Sequence, residues 1–190
     1  MGRVVGRPGT SLAGGESWAG GGTIGLRHGA IGERSTAHAL DTLAGRSKIT
    51  VLHDLRVPIP GLTTNIDHVV VAGRTVLLID SKRWRPGFYW TVNDRTRIGL
   101  VDAPHVDKKS VALAHKAFVS YLASTDAYVP TPLVTVWPSS GRVSLWAARF
   151  PGARLVHGRR LARAVKKAVK VGQSADPDIV ARLTPLLVHR

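Results

Sequence analysis

Two aspartates and a lysine lie on neighbouring β-rich segments in the middle of the chain. Residues 65–72 and 75–82 are rich in Val, Leu and Ile, and only Gly73-Arg74 separates them, which predicts a β-hairpin with a type II′ turn. Counted back from that turn, Asp67 falls directly opposite Asp80. Their Cβ atoms are therefore expected about 4.5–5.5 Å apart.

The hairpin is expected to be buried on both faces. Lys82 lies two residues beyond Asp80 and therefore shares a face with it. That face also carries Val69, Val71, Val76 and Leu78, whereas the opposite face carries Ile66, Val70, Leu77 and Ile79. Because both sets are apolar, the pattern predicts a central hairpin that other elements cover on each side.

Opposed aspartates in a buried hairpin require compensating positive charge. Like charges across a sheet are destabilising, and buried carboxylates are costly unless they are paired. A divalent cation removes both penalties, because Mg²⁺ binds one or two carboxylates together with water and phosphate oxygens. A nearby lysine can position or deprotonate the attacking water, or stabilise charge on the phosphate. These groups suit phosphodiester hydrolysis.

A plainer interpretation places both aspartates at strand ends near solvent, with Lys82 as an ordinary ion-pair partner. An Asp-x-Lys triplet is common in proteins. A one-residue register slip or a β-bulge would also separate the three side chains. The residues alone leave both interpretations open.

The chain is strongly basic, with 27 Lys and Arg against 12 Asp and Glu in 190 residues and a formal net charge of +15. Such a charge attracts polyanions, most commonly nucleic acid, although an arginine-rich proteome would give the same balance. The length fits one domain with a hydrophobic core. The absence of cysteine excludes disulfides, cysteine-based zinc sites and thiol nucleophiles.

Several function classes lack their sequence signatures. No apolar run is long enough for a membrane span. The N-terminus has no hydrophobic signal core, so the cytoplasm is the expected location. Because there is neither a P-loop nor a nucleophile-elbow serine, no nucleotide cofactor and no acyl transfer are expected. The histidines show no paired-ligand spacing, and the oligomeric state is left open.

The chain divides into two regions of different composition. Residues 1–29 are rich in glycine and predict a flexible leader, whereas residues 30–190 predict one folded domain. Helices are expected over residues 31–44, 106–123 and 158–171 and after Pro177; strands are expected over 49–57, 65–72, 75–82, 88–92, 97–101, 133–137, 143–147 and 154–156. This order predicts an α/β fold with a central mixed sheet flanked by helices.

The last long helix is expected to have a basic and an apolar side. Its cations are Arg159, Arg160, Arg163, Lys166, Lys167 and Lys170, and its apolar residues are Leu161, Val165, Ala168 and Val169. One interpretation is a surface that follows a phosphate backbone independently of base sequence. The other is the solvated face of an ordinary helix.

Four segments resemble the nuclease-related domain (NERD) family. They are Gly32-Glu33-Arg34, Val51-Leu52-His53-Asp54-Leu55, Asn65-Ile66-Asp67-His68-Val69-Val70-Val71 and Val76-Leu77-Leu78-Ile79-Asp80-Ser81-Lys82-Arg83-Trp84. The likeness continues more loosely to about Val171. It implies a restriction-endonuclease-like PD-(D/E)XK core.

The same resemblance implies roles for individual residues. Asp67 and Asp80 would ligate Mg²⁺ or Mn²⁺, and Lys82 would be the catalytic lysine. Glu33 matches an additional acidic position of the family and would bind a metal or orient Lys82. Without the resemblance, Glu33 would be interpreted as a first-turn acid that the helix dipole favours.

Further residues extend the predicted DNA contacts. The cluster Arg83-Trp84-Arg85 follows Lys82, and the aromatic residues from Trp84 onwards would either stack on unpaired bases or cover the edge of the sheet. Many relatives carry a glutamine-containing helix after the second hairpin, but residues 104–109 contain no glutamine. There, Lys108 and Lys109 would either contact phosphates or begin a solvated helix.

These features together predict a divalent-metal-dependent DNA endonuclease, with strand preference left open. One alternative is a nucleic-acid-binding protein that keeps a nuclease fold without catalysis. The other is a protein-interaction module whose positive charge meets an acidic partner. The intact set of Asp67, Asp80 and Lys82 favours catalysis over the first alternative.

Overall fold

A mixed β-sheet forms the centre of the molecule. The computed structural model describes residues 2–9, 23–103, 106 and 109–188, without the side chains of residues 23–28. Its strands are β1 (Arg3–Val5), β2 (Thr50–Arg56), β3 (Asn65–Ala72), β4 (Thr75–Trp84), β5 (Gly87–Val92), β6 (Arg95–Ile98), β7 (Val101–Asp102), β8 (Leu133–Pro138), β9 (Val143–Ala147) and β10 (Arg154–His157).

The central sheet has the strand order β1-β2-β3-β4-β8-β10. Strand β3 pairs antiparallel with β2 and β4, and the remaining neighbours pair in parallel. The two strands of the predicted hairpin therefore occupy the middle of the sheet. This arrangement confirms the predicted α/β fold with a central mixed sheet.

The hairpin of β3 and β4 has the predicted register. Pairing runs in step from the turn to His68 and Ile79. Gly73 takes a φ of +53°, as the first central residue of a type II′ turn requires. Asp67 and Asp80 are the next residues of the two strands, one position beyond the last ladder pair.

Helices cover both faces of the central sheet. One face packs against α1 (Thr23–Ala44) and α3 (Leu161–Ala168), and the other packs against α2 (Ser110–Tyr121) and α4 (Pro177–Leu183). Short 3-10 segments lie at Gly158–Arg160 and Thr184–Leu186. Within the described residues, no helix is both long enough and apolar enough to cross a membrane.

The alternation along the hairpin separates two hydrophobic clusters. Val70, Leu77 and Ile79 pack beneath α1 and α3, whereas Val69, Val71, Val76 and Leu78 pack towards α2 and α4, as predicted. Ile66 was expected with the first set but belongs to the second. The ladder between β2 and β3 has a gap at this point: it passes from His53–His68 directly to Leu55–Ile66, and Asp54 takes a φ of +59°.

A smaller sheet with the order β7-β6-β5-β9 packs beside the central one. Strands β5 and β6 form the predicted second hairpin around Asn93 and Asp94, whose φ values of +48° and +58° suit a type I′ turn. The strand predicted over residues 97–101 is interrupted. Gly99 has a φ of +57° and turns the chain between β6 and β7.

Several element boundaries differ from the expectations, among them the start of α2, which lies at Ser110 rather than at residue 106. Arg3–Val5 lies in the predicted flexible leader but pairs with β2, because the edge of that strand offers backbone hydrogen bonds that composition does not reveal. Helix α1 begins at Thr23 rather than at residue 31, and residues 10–22 lie outside the described residues. Helix α3 ends at Ala168, because Val169 is extended and buried in the core.

Substitution of Phe118 on α2 tests how the sheet packs against α2 and α4. It is fully buried, and we expect Phe118→Ala to lower the free energy of unfolding by about 3–5 kcal/mol, since it leaves a cavity. The next residue, Val119, is 46% exposed, so Val119→Ala is a matched control with an expected loss below about 1 kcal/mol. Urea denaturation measures both values. Equal losses would contradict the assigned orientation of α2.

Candidate active site

Asp67, Asp80 and Lys82 lie together at the point where β3 and β4 pass beyond their last pair. The Lys82 ammonium Nζ is 2.7 Å from Oδ2 of Asp80. The backbone N–H of Ser81 donates to Oδ2 of Asp67 over 2.6 Å. The hairpin thus brings the three predicted side chains together, with Asp67 bound to the strand of Asp80 through Ser81 rather than through a ladder pair.

Acidic side chains crowd together at this point, which disfavours their charged forms. Burial and then the charges of Asp80 and Glu33 raise the pKa of Asp67 well above its ordinary value. Glu33 is only 8% exposed, and burial followed by the charge of Asp54 raises its pKa to about 7. Since α1 begins at Thr23, Glu33 lies in the helix interior, and the interpretation as a first-turn acid is wrong.

Lys82 is the counter-charge to these carboxyl groups. Burial disfavours its charged form, but the charges of Asp80, Asp67 and Glu33 together raise the pKa of the ammonium above its ordinary value. Lys82 is therefore protonated in the metal-free protein. Its contact with Asp80 is an ion pair by distance, yet Oδ2 of Asp80 has no hydrogen bond of good geometry.

The donor set suits a divalent cation with two protein ligands. Asp67 and Asp80 offer two carboxylates, and Mg²⁺ commonly takes one or two, with water and phosphate oxygens completing its shell. The raised pKa of Asp67 indicates that added positive charge would stabilise the site. In the part of the chain that the structure describes, no three His, Asp or Glu side chains form a metal-binding group, so a third ligand from Glu33 stays a prediction.

Asp54, a buried acid beside the site, had no predicted role. It is 4% exposed and accepts a hydrogen bond from Nδ2 of Asn65 at 3.2 Å. Its left-handed backbone conformation is one that aspartate tolerates better than most residues. Asp67 lies opposite this gap in the β2–β3 ladder, so Asp54 and Asp67 do not form a ladder pair.

A buried chain of hydrogen bonds lies on the opposite face of the hairpin. Oδ1 of Asp41 on α1 is 2.9 Å from Nε2 of His53. The two Nδ1 atoms of His53 and His68 are 2.7 Å apart, and Nε2 of His68 is 3.1 Å from Oγ of Ser81. Because Ser81 also donates its N–H to Asp67, it connects this chain to the carboxylate site.

The two histidines of this hydrogen-bonded chain, His53 and His68, are uncharged at neutral pH. Burial lowers the pKa of His53 and lowers that of His68 well below its ordinary value. Sequence spacing gave no role to any histidine, since only the pairing of β2 with β3 brings these two rings together. The signal available in the sequence was a histidine beside an aspartate on each of two adjacent strands.

The cluster next to Lys82 divides into buried and exposed residues. Trp84 is 3% exposed and stacks on Tyr89, with ring centroids 4.8 Å apart, so it covers the sheet and cannot receive a base. Arg83 donates to the carbonyl oxygen of Ser139 at 3.0 Å. Arg85 remains exposed. Of the two arginines predicted to contact phosphate here, Arg85 is exposed and Arg83 is half-buried.

The other predicted phosphate contacts are exposed wherever the structure describes them. Lys109 is exposed immediately before α2, and Lys108 lies outside the described residues. Six cations around α3 are also exposed: Arg159, Arg160, Arg163, Lys166, Lys167 and Lys170. The buried side of α3 consists of Leu161 and Val165, which confirms the predicted division into two sides.

Residues 28–134 match the nuclease-related domain, which is more than half of the chain. The chain belongs to the nuclease-related domain family. Glu33, Asp67, Asp80 and Lys82 all lie within the matched residues, whereas α3 and its cations lie beyond them. No curated protein and no solved structure matches the chain significantly.

Glu33 should make the metal-free domain less stable at neutral pH. Its pKa is higher folded, about 7, than the ordinary 4.5, so the unfolded state releases its proton first and stability falls as the pH rises through that window. In EDTA, we expect Glu33→Gln to be more stable than wild type by a few kcal/mol at pH ~8 and by little at pH ~4.

Urea denaturation across this pH range measures the difference. Asp126→Asn is the control, because the Asp126 side chain is 95% exposed and pairs with Arg74 at the far end of the hairpin. A stability gain for Glu33→Gln that is the same at both ends of the range would contradict the raised pKa.

Proposed function

We propose that this protein is a divalent-metal-dependent DNA endonuclease that hydrolyses phosphodiester bonds on a PD-(D/E)XK-type core. The observation that carries the proposal is the convergence of Asp67, Asp80 and Lys82 at one point of a buried hairpin. Buried carboxyl groups that raise one another's pKa are costly to keep unless they serve a site. Membership of the nuclease-related domain family supports the same reaction class.

In this proposal, Asp67 and Asp80 hold Mg²⁺ or Mn²⁺, with Glu33 as a further ligand or as an orienting group for Lys82. The ion, when bound, would polarise the scissile phosphate and lower the pKa of the attacking water. The Ser81 N–H fixes one oxygen of Asp67, which leaves the other oxygen of that carboxylate to face the ion.

The protonated state of Lys82 favours one of its possible roles. An ammonium is a donor without a lone pair, so Lys82 enters the reaction as a charge that stabilises the phosphate or orients water. Deprotonation of water by Lys82 requires loss of that proton first. The neighbouring carboxylates oppose this loss until positive charge neutralises them.

Binding of DNA is assigned to the basic surface. The exposed cations of α3 and the net charge of +15 suit contacts to phosphate that do not depend on base sequence. Arg85 and Lys109 would add contacts nearer the candidate site. Affinity from such contacts falls steeply with salt concentration.

One observation favours a second candidate function, nucleic-acid binding without catalysis. The ion pair of Lys82 with Asp80 already neutralises one of the two proposed ligands, and no group of three metal-binding side chains is formed among the described residues. A metal must therefore compete with the ammonium for Asp80. Activity and metal affinity, measured separately, decide between the two functions.

Plasmid cleavage in Mg²⁺, Mn²⁺ or EDTA tests the proposal. We expect metal-dependent nicking that falls at least about a hundredfold in Asp80→Asn, which loses a metal ligand, and in Lys82→Met, which loses a positive charge that acts on the reacting phosphate. Asp126→Asn removes a remote, exposed carboxylate and should cleave like wild type. Gel shifts in EDTA should show unchanged DNA binding for all of the variants.

Three other outcomes would count against the proposal. Cleavage that persists in Asp80→Asn would place the site elsewhere. Binding without cleavage in any metal, with no heat of Mn²⁺ binding by calorimetry, would favour the non-catalytic function. No binding of nucleic acid at physiological salt would favour an acidic protein partner.

A further inference from the structure

A basic groove runs between α3 and strands β9 and β10. Its volume is about 610 Å³, and its cations are Arg154, Arg160, Arg163 and Lys167. No acidic side chain lines it, and within the described parts of the chain none of these cations pairs with a carboxylate. The groove therefore offers uncompensated positive charge to a ligand.

The six exposed cations around α3 fall into two sets, those that line the groove and those that do not. Arg160, Arg163 and Lys167 line it at the spacing of one helix face, whereas Arg159, Lys166 and Lys170 do not. Lys166 and Lys167 are both exposed on α3, so they form a natural pair for comparison. A ligand of the groove would distinguish between them.

An exposed aromatic pair stands at the wall of the groove. Trp146 lines it and is 84% exposed, and its ring centroid is 5.4 Å from that of Phe88, which is 38% exposed. Its strand neighbour Leu145 points into the core, so alternation along β9 turns Trp146 outwards. Alternation explains the direction but not the choice of an indole, a side chain enriched where proteins bind partners.

The groove is level with the candidate active site. Lys82 pairs with Val136 on β8, and Val136 pairs with His157 on β10, which lines the groove. Adjacent strands are about 4.8 Å apart, so the backbones of Lys82 and His157 are separated by about 10 Å. Strand β8 alone separates the backbones of these two residues.

We propose that this groove binds single-stranded DNA, with unpaired bases stacked on Trp146 and Phe88 and phosphates held by Arg160, Arg163 and Lys167. Aromatic side chains accept any unpaired base, because every base has a π-face. A duplex meets the cations but offers no free base to the rings. The choice of DNA rests on the proposed nuclease function.

Fluorescence anisotropy with a labelled oligothymidylate 20-mer, in EDTA, tests the groove without any cleavage. We expect Trp146→Ala to weaken binding about 5- to 150-fold, as loss of base stacking does, and Trp146→Phe to weaken it much less. Tyr128→Ala removes another exposed aromatic ring, 65% exposed beside the start of β4, and should bind like wild type.

The two adjacent lysines provide the charge control. Lys167→Ala should weaken binding and lower the slope of log affinity against log salt by about 0.7, the value for one phosphate contact on a single strand. Lys166→Ala should weaken binding of the single strand less than Lys167→Ala does, since Lys166 does not line the groove. A duplex of equal length should compete less well than the unlabelled single strand.

Failure of this inference is distinguishable from failure of the proposed function. If Asp80→Asn abolishes plasmid cleavage while Trp146→Ala and Lys167→Ala bind the 20-mer like wild type, only the groove is wrongly assigned. If the binding pattern holds and wild type cleaves no DNA, the groove is supported and the nuclease function fails. Equal effects of Lys166→Ala and Lys167→Ala, or equal competition by duplex, would overturn the groove.

Discussion

The repulsion among Asp67, Asp80 and Glu33, which the ammonium of Lys82 offsets in part, is the constraint around which the domain is organised. Such a cluster is unfavourable in a protein interior and persists only if its surroundings hold it in place. The hairpin supplies that support, because it is paired on both sides within the central sheet and covered by helices on both faces. The central, covered hairpin of the fold therefore carries this unfavourable group of charges.

The two strands leave their regular pairing where the charges begin. The ladder of β3 and β4 ends one residue before the aspartates, and the ladder of β2 and β3 skips the position of Asp54. Broken pairing leaves backbone groups available for other partners, and the Ser81 N–H takes a carboxylate oxygen of Asp67. A regular sheet would give that N–H to a carbonyl group and leave Asp67 without its anchor.

Much of the hairpin was predictable because its determinants are local. The turn at Gly73 and the apolar alternation fix the register, and register alone brings Asp67 near Asp80. Features that depend on distant segments were not predictable in this way. The pairing of Arg3–Val5 with β2 joins residues that lie 47 positions apart in the chain, and no local pattern reports such a contact.

The roles of side chains were likewise predictable only where they depend on local sequence. Trp84 could equally receive a base or cover the sheet until the stacking of Tyr89 was known, because both roles require only a large aromatic ring. Trp146 had no predicted role, since its exposure depends on which face of β9 meets the core. The histidine pair needed the register of β2 against β3, which sequence periodicity does not supply.

The hydrogen-bonded chain from Asp41 to Ser81 determines which ring nitrogens of its two histidines carry protons. A neutral imidazole has one N–H, and Asp41 as a carboxylate can only accept, so His53 carries its proton on Nε2 and accepts at Nδ1. His68 must then donate from Nδ1 and accept at Nε2, which makes the Ser81 hydroxyl the donor. The tautomers of two buried rings are thus set by a helix carboxylate whose side chain is 42% exposed. The partly exposed carboxylate of Asp41 on α1 thereby sets which atom donates and which accepts in each hydrogen bond as far as Ser81, the residue that anchors Asp67.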